Sequence, residues 1–93
     1  MRRRRFDHLV QELSLALDVA VPRFALWTAL RDAGFDPEEL SRDGALAFLD
    51  GPAHRFLAGI GYRLPGRSER RLRRRLARFD PSYPPPEEVF ARL

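Results

Sequence analysis

Residues 36–61 read DPEELSRDGALAFLDGPAHRFLAGIG, a stretch in which helix start and stop signals alternate. Ser41 is a residue type that caps helix N-termini, and Gly51 can adopt the left-handed conformation that closes a helix. Pro52 fits the first turn of the next helix, and Gly61 follows its last apolar residues. Between these signals, apolar residues recur at intervals of three and four. The stretch therefore predicts short, separate amphipathic helices that follow one another directly.

The first residues of this stretch, Asp36–Glu39, predict one further short helical element. Asp36 can cap a helix, Pro37 fits its first turn, and Glu39 stands where a capping box needs an acidic side chain. The element must be short, because Ser41 already begins the next helix.

Three more helices are expected on either side. In residues 6–18, apolar side chains fall at i, i+3, i+4, i+7 and i+11 and form one stripe. A second helix covers residues 22–33, and the last main helix runs from residue 67 or 68 to residue 79. The side chains expected in the core are Phe6, Leu9, Leu13, Leu30, Phe56, Leu57, Leu72 and Leu76.

The composition favours helix over sheet throughout the chain. Six residues are Val, Ile or Thr, whereas Leu and Ala together supply 25 of the 93 residues. We therefore expect an all-α protein, a compact single-domain bundle of five to six short helices with no sheet. Residues 6–79 would form the helical domain, residues 1–5 a disordered basic arm, and residues 80–93 a Pro-rich C-terminal tail that can add a short helix.

The side chains that an active site requires are not found in a suitable pattern. The sequence has no cysteine, which excludes disulfides and zinc–thiolate sites. His8 and His54 each lack a second histidine at helical spacing, Ser14, Ser41 and Ser68 fit helix surfaces or caps, and no Gly-rich phosphate-binding motif occurs. We expect neither enzymatic activity, nor a cofactor, nor a metal ion.

No segment of the sequence is apolar enough to cross a membrane. The longest stretches without a charge, residues 24–30 and 56–62, have seven residues each, whereas a membrane-spanning helix needs about 20. The arginines that follow Met1 are not followed by the apolar run of an export signal. We therefore expect a cytoplasmic protein.

Charge is distributed unevenly along the chain, whose net charge is +4. Residues 6–66 hold nine acids against five arginines, whereas residues 67–79 hold seven arginines against one acid. All 17 basic residues are arginine, so part of the excess can reflect codon usage. The chain is thus an acidic body with a basic segment at each end of it.

The last main helix is the candidate binding surface. Leu72, Leu76 and Phe79 share a narrow apolar stripe, and arginines fill an arc of about 200° around the rest. These arginines are Arg67, Arg70, Arg71, Arg73, Arg74, Arg75 and Arg78. Leu15, which lies opposite the apolar stripe of its own helix, is either covered by a second layer or faces a partner.

Three functions are compatible with this surface. The leading hypothesis is a protein-interaction or regulatory adaptor that binds an acidic partner surface or a second copy of itself. The alternative is a DNA- or RNA-binding protein that uses the Arg67–Arg78 helix and the N-terminal arginines to contact phosphates. In the third, the basic helix docks onto an acidic subunit of a larger assembly. The acidic body and the lack of aromatic residues between the arginines count against nucleic acid.

Two DNA-binding motifs are not favoured by the sequence. Residues 58–61 after a helix resemble the glycine hairpin of the helix-hairpin-helix motif, but five residues separate them from the next helix. A helix-turn-helix centred on Gly34 would place Glu38 and Glu39 at the start of the recognition helix, where they would repel phosphates.

Overall fold

The computed structural model of the chain describes residues 4–79, and all regular secondary structure in this range is helical. In chain order the helices are α1 (Arg4–Leu17), α2 (Arg23–Asp32), α3 (Arg42–Leu49), α4 (Pro52–Gly59) and α5 (Gly66–Arg78). The predicted all-α class is confirmed for these residues, and five helices agree with the expected five to six. Residues 1–3 and the expected tail, 80–93, lie outside the described residues.

The helix boundaries follow most of the local signals. Gly51 does not take the left-handed conformation expected of it, since its φ is −165° and it precedes α4 as the N-cap. Two larger differences concern whole segments. Ser41 caps α3 as expected, since its Oγ accepts a hydrogen bond from the Gly44 N–H at 2.9 Å. The predicted helical element at Asp36–Glu39 is instead a turn. There the Asp36 carboxylate accepts from the N–H of Glu38, two residues on, at 3.0 Å. The same side chain that can cap a helix here stabilises a non-helical turn.

The second difference is at the N-terminus, where α1 begins at Arg4. Two residues of the expected 1–5 arm therefore belong to the helix. The Arg5 side chain is 8% exposed, and its guanidinium lies 5.4 Å from the centre of the Phe79 ring. An arginine that packs in this way behaves as part of the domain, because its aliphatic stem and planar head both contribute contacts.

One apolar core joins the five helices. Helix α5 packs between α1 and α3, and α4 packs against α2 and α3. Of the eight side chains expected in the core, seven are buried and Phe56 is partly buried. The core also contains residues that were not on that list, among them Leu26, Phe48 and Leu49, each with no exposed surface.

The pairing of α1 with α5 positions the candidate site. The Arg5 side chain reaches Phe79 at one end of the pair, and Glu12 reaches Arg75 in the middle. Near the other end, Leu15 lies in one cleft with Ser68. Residues later in α1 thus lie beside residues earlier in α5. The two helices are therefore antiparallel and share an outer surface.

Candidate functional site

Helix α5 presents most of its arginines to solvent. Leu72 and Leu76 are 2% and 0% exposed and turn one narrow side of the helix towards the core. Because the apolar stripe is narrow, the remaining circumference faces outward. Of the seven arginines of the candidate surface, six are exposed and Arg73 is half-buried.

The flank of α5 that faces α3 and α4 is occupied by ion pairs. The Arg73 guanidinium lies 2.6 Å from the Asp50 carboxylate and 3.9 Å from that of Glu69. The Glu69 carboxylate also lies 2.6 Å from His54 Nε2. Arg73 is therefore already neutralised by the protein's own acids and is the arginine of the surface least available to a partner.

The opposite flank of α5 faces α1 and is less fully neutralised. Glu12, only 9% exposed, lies 3.6 Å from Arg75 Nε and 3.4 Å from His8 Nε2. The His8 ring stacks on the ring of Phe79, with a centroid distance of 4.1 Å and an interplanar angle of 9°. One buried carboxylate thus holds a histidine and an arginine across the helix pair.

Burial lowers the pKa of His8 below its usual value of 6.5, because water no longer solvates the charged ring. The carboxylate of Glu12 opposes this shift, while the positive charges of Arg5 and Arg75 add to it. The His8 Nδ1 atom is buried and has no hydrogen-bond partner among residues 4–79. The ring is therefore neutral at pH 7, and the stack with Phe79 carries no charge of its own.

The remaining arginines of α5 form an unneutralised row. Within residues 4–79, no carboxylate lies within 4.0 Å of any member of this row. The row, hereafter the free arginine row, consists of Arg67, Arg70, Arg71, Arg74 and Arg78. Their spacing of three and four residues places them along one side of the helix. Like charges held so close repel one another, and an anionic partner would relieve that repulsion.

Between α1 and α5 the surface is concave. A wide cleft of about 550 Å³ is lined by His8, Glu12, Arg71, Arg74, Arg75, Arg78 and Phe79. A narrower cleft of about 230 Å³ is lined by Glu12, Leu15, Ala16, Ser68, Arg71, Leu72 and Arg75. The two clefts share Glu12, Arg71 and Arg75, so they adjoin, and together they are called the α1/α5 groove here.

The structure brings Leu15 into the same surface as the arginines. Leu15 is 63% exposed, and no other part of residues 4–79 covers it. It lies on the rim of the α1/α5 groove, in one cleft with Arg71 and Arg75. The sequence singled out both features but gave no sign that they adjoin.

Six residues of the groove were not predicted as part of the binding surface: His8, Glu12, Ala16, Ser68, Leu72 and Phe79. An aromatic patch elsewhere, where Phe24 is 82% exposed beside Trp27, was not predicted either. Trp27 itself is half-buried and packs edge-on against Phe6 at 5.0 Å, as expected of a core tryptophan. A helical projection at 100° per residue places Phe24 well away from the buried leucines of α2, and that signal would have identified it.

No group of three or more His, Cys, Asp or Glu side chains in residues 4–79 is placed to hold a metal ion. No helix in the same range has both the length and the apolar character needed to cross a membrane.

Comparisons of the chain with protein-family models, with curated proteins and with solved structures found no match.

Proposed function

We propose that the protein is a non-enzymatic adaptor whose helix α5 contacts an acidic surface of a partner protein. The observation that carries the proposal is the free arginine row, which has no carboxylate partner among residues 4–79. The body neutralises Arg73 fully and Arg75 in part, and leaves the row exposed. An acidic partner surface supplies the missing charges and guides the two proteins together.

The composition of the surface favours a protein partner over nucleic acid. Leu15 offers an exposed apolar contact beside Arg71 and Arg75, and an apolar centre with a charged rim is typical of protein interfaces. Among residues 4–79, the phenyl ring that lines the groove beside the arginines is that of Phe79, and His8 and Arg5 already engage it, so it is poorly placed to stack on a base.

Nucleic acid is the second candidate, and the free arginine row favours it. The row spans eleven residue steps of an exposed helix, a length of about 16 Å, and guanidinium groups match phosphates well. If about three arginines neutralise phosphates at once, the logarithm of the affinity falls with the logarithm of the salt concentration with a slope of about −3. Phosphate contacts of this kind carry no sequence specificity.

The test compares two triple variants that remove the same charge. One is Arg70→Gln, Arg71→Gln and Arg74→Gln, all in the free arginine row. The matched control is Arg31→Gln, Arg55→Gln and Arg63→Gln, three exposed arginines outside α5. Binding is measured by fluorescence polarisation with a labelled polyglutamate peptide, and with random duplex DNA, single-stranded DNA and RNA, at about 50 and 200 mM salt.

We expect the wild type and the control to bind polyglutamate, and the α5 variant to bind it about tenfold more weakly or worse. If the protein binds nucleic acid but not polyglutamate, and its affinity falls with salt with a logarithmic slope of about −3, the nucleic-acid function replaces the adaptor function. Failure to bind any of these polyanions at the lower salt concentration would overturn both. If the two variants lose the same amount of affinity, binding depends on the net charge of the protein and not on the position of the arginines in α5.

A further inference from the structure

The α1/α5 groove has the geometry of a binding site for a third helix. Its α1 wall consists of side chains four, three and one residue apart, and its α5 wall has side chains in every turn of that helix. Each wall is thus one side of a helix, and the two helices are antiparallel. The walls are His8, Glu12, Leu15 and Ala16 on α1, and Ser68, Arg71, Leu72, Arg74, Arg75 and Arg78 on α5, with Phe79 directly after its end.

The two ends of the groove differ in chemistry. At the end formed by the last turn of α1 and the start of α5, the lining is mainly apolar, with Leu15, Ala16 and Leu72. At the other end, four arginines of α5 line the wide cleft, and Arg74 and Arg78 have no carboxylate partner among residues 4–79. A ligand that fits both ends must be apolar at one end and acidic at the other.

From these features we infer that the α1/α5 groove binds an amphipathic acidic helix of about three turns, contributed by the partner protein. The inference rests on the proposed function and names the partner's local structure. Apolar side chains of the bound helix pack against Leu15 and Ala16, and its carboxylates pair with the free arginines Arg71, Arg74 and Arg78.

The length and shape of the groove determine that the occupant is a helix. From Ser68 to Phe79 the α5 wall covers eleven steps of about 1.5 Å, which gives about 16 Å, or three turns. A helix placed in the depression between two antiparallel helices packs its ridges into theirs, as in a helical bundle. An extended peptide of the same length would project only every second side chain into the groove and would leave its backbone hydrogen bonds unpaired there.

The probes are four labelled synthetic peptides. The first has Leu at i, i+3, i+4 and i+7 and Glu at most other positions. The second has the same composition with the leucines scattered around the helix, the third is the first peptide with a central proline, and the fourth is polyglutamate. The polyglutamate is made with the same number of glutamates as the other three, so only the apolar stripe and the ability to form a helix separate the four peptides.

Two single variants, matched in type of change, locate the contact on the protein. Leu15→Ser removes the exposed apolar side chain of the groove, and Phe24→Ser removes an exposed apolar side chain outside it. Neither side chain is part of the core, so we expect the circular dichroism spectrum of both variants to match the wild type.

We expect the first peptide to bind about tenfold more tightly than the other three, and Leu15→Ser to remove most of that difference. Phe24→Ser should leave it unchanged. If all four peptides bind the wild type equally and the variant with Arg70→Gln, Arg71→Gln and Arg74→Gln loses this binding, the inference is overturned. The proposed function is then still supported. If none of the four peptides binds, both this inference and the proposed function are overturned.

Two further results would assign the groove to another occupant and overturn the inference. One is tighter binding of a synthetic peptide of residues 80–93 than of the designed peptide, which would indicate the chain's own C-terminal segment. The other is a dimer, measured by sedimentation without peptide, that Leu15→Ser converts to monomer, which would indicate a second copy of the chain.

Discussion

At the scale of single residues, His8 links protonation to stability. Because burial holds its pKa below 6.5 in the folded protein, the unfolded chain binds the proton more readily. Stability is therefore unaffected well above pH 6.5, decreases as the pH falls below 6.5, and levels off once the pH passes the folded pKa. The carboxylate of Glu12 moderates this loss, and the charges of Arg5 and Arg75 increase it.

We predict that the free energy of unfolding of the wild type falls more steeply between pH 7.5 and 5 than that of His8→Gln, with the difference developing below the usual histidine pKa of about 6.5. Urea denaturation at several pH values measures the free energy of unfolding of the wild type and of His8→Gln. The comparison cancels the contributions that the two proteins have in common. Parallel pH profiles for the two proteins would contradict the role assigned to His8.

Residue type alone does not decide which arginines can bind a partner. Arg71 and Arg73 lie two positions apart, yet one is exposed and free of carboxylates among residues 4–79, whereas the other is held by Asp50 and Glu69. The difference arises because the two side chains point to opposite flanks of α5, one towards α1 and one towards α3.

At the scale of helices, end signals control where each element begins. The clearest case is α3, whose first turn is closed by the hydrogen bond from the Gly44 N–H to Ser41 Oγ at 2.9 Å. Without it, one of the unpaired N–H groups of the first turn has no protein partner.

We predict that Ser41→Ala lowers the free energy of unfolding by about 0.5–2 kcal/mol. The matched control is Ser68→Ala in the first turn of α5, where no side-chain cap is formed, and its effect should stay within about 0.5 kcal/mol. Chemical denaturation of the three proteins measures both changes. A loss at Ser68 as large as that at Ser41 would show that the cap is not the cause.

At the scale of the whole molecule, stability depends on one shared core. Leu57 of α4 is 1% exposed and belongs to the same buried cluster as Leu30 of α2 and Phe48 of α3. Loss of its side chain therefore weakens the packing of several helices at once. A chain with one core is expected to unfold cooperatively.

We predict that Leu57→Ala destabilises the protein by about 2–5 kcal/mol. Circular dichroism at 222 nm follows the unfolding, and the full spectrum should be dominated by helix without a clear sheet component. Leu15→Ala is the control, because that side chain is 63% exposed, and we expect a change of at most about 0.5 kcal/mol. A loss well under 1 kcal/mol at Leu57 would contradict its place in the core.

The helical class, most helix boundaries and the outward direction of the α5 arginines could be predicted from the amino-acid sequence. These features depend on interactions within one or two turns: apolar spacing, caps and glycine or proline at the ends. Local signals can also mislead, as at Asp36–Glu39, where the capping residue stabilises a turn. A carboxylate can satisfy a nearby N–H in either conformation, so the local pattern did not distinguish them.

The tertiary structure alone decided how the helices pair, and with it the candidate site. Nothing in the local pattern of α5 says that one flank meets α1 and the other meets Asp50 and His54. Nor does it place Leu15 beside Arg71. Helix pairing is fixed by how all the apolar stripes fill one common core, and that packing depends on the shapes of side chains far apart in the sequence.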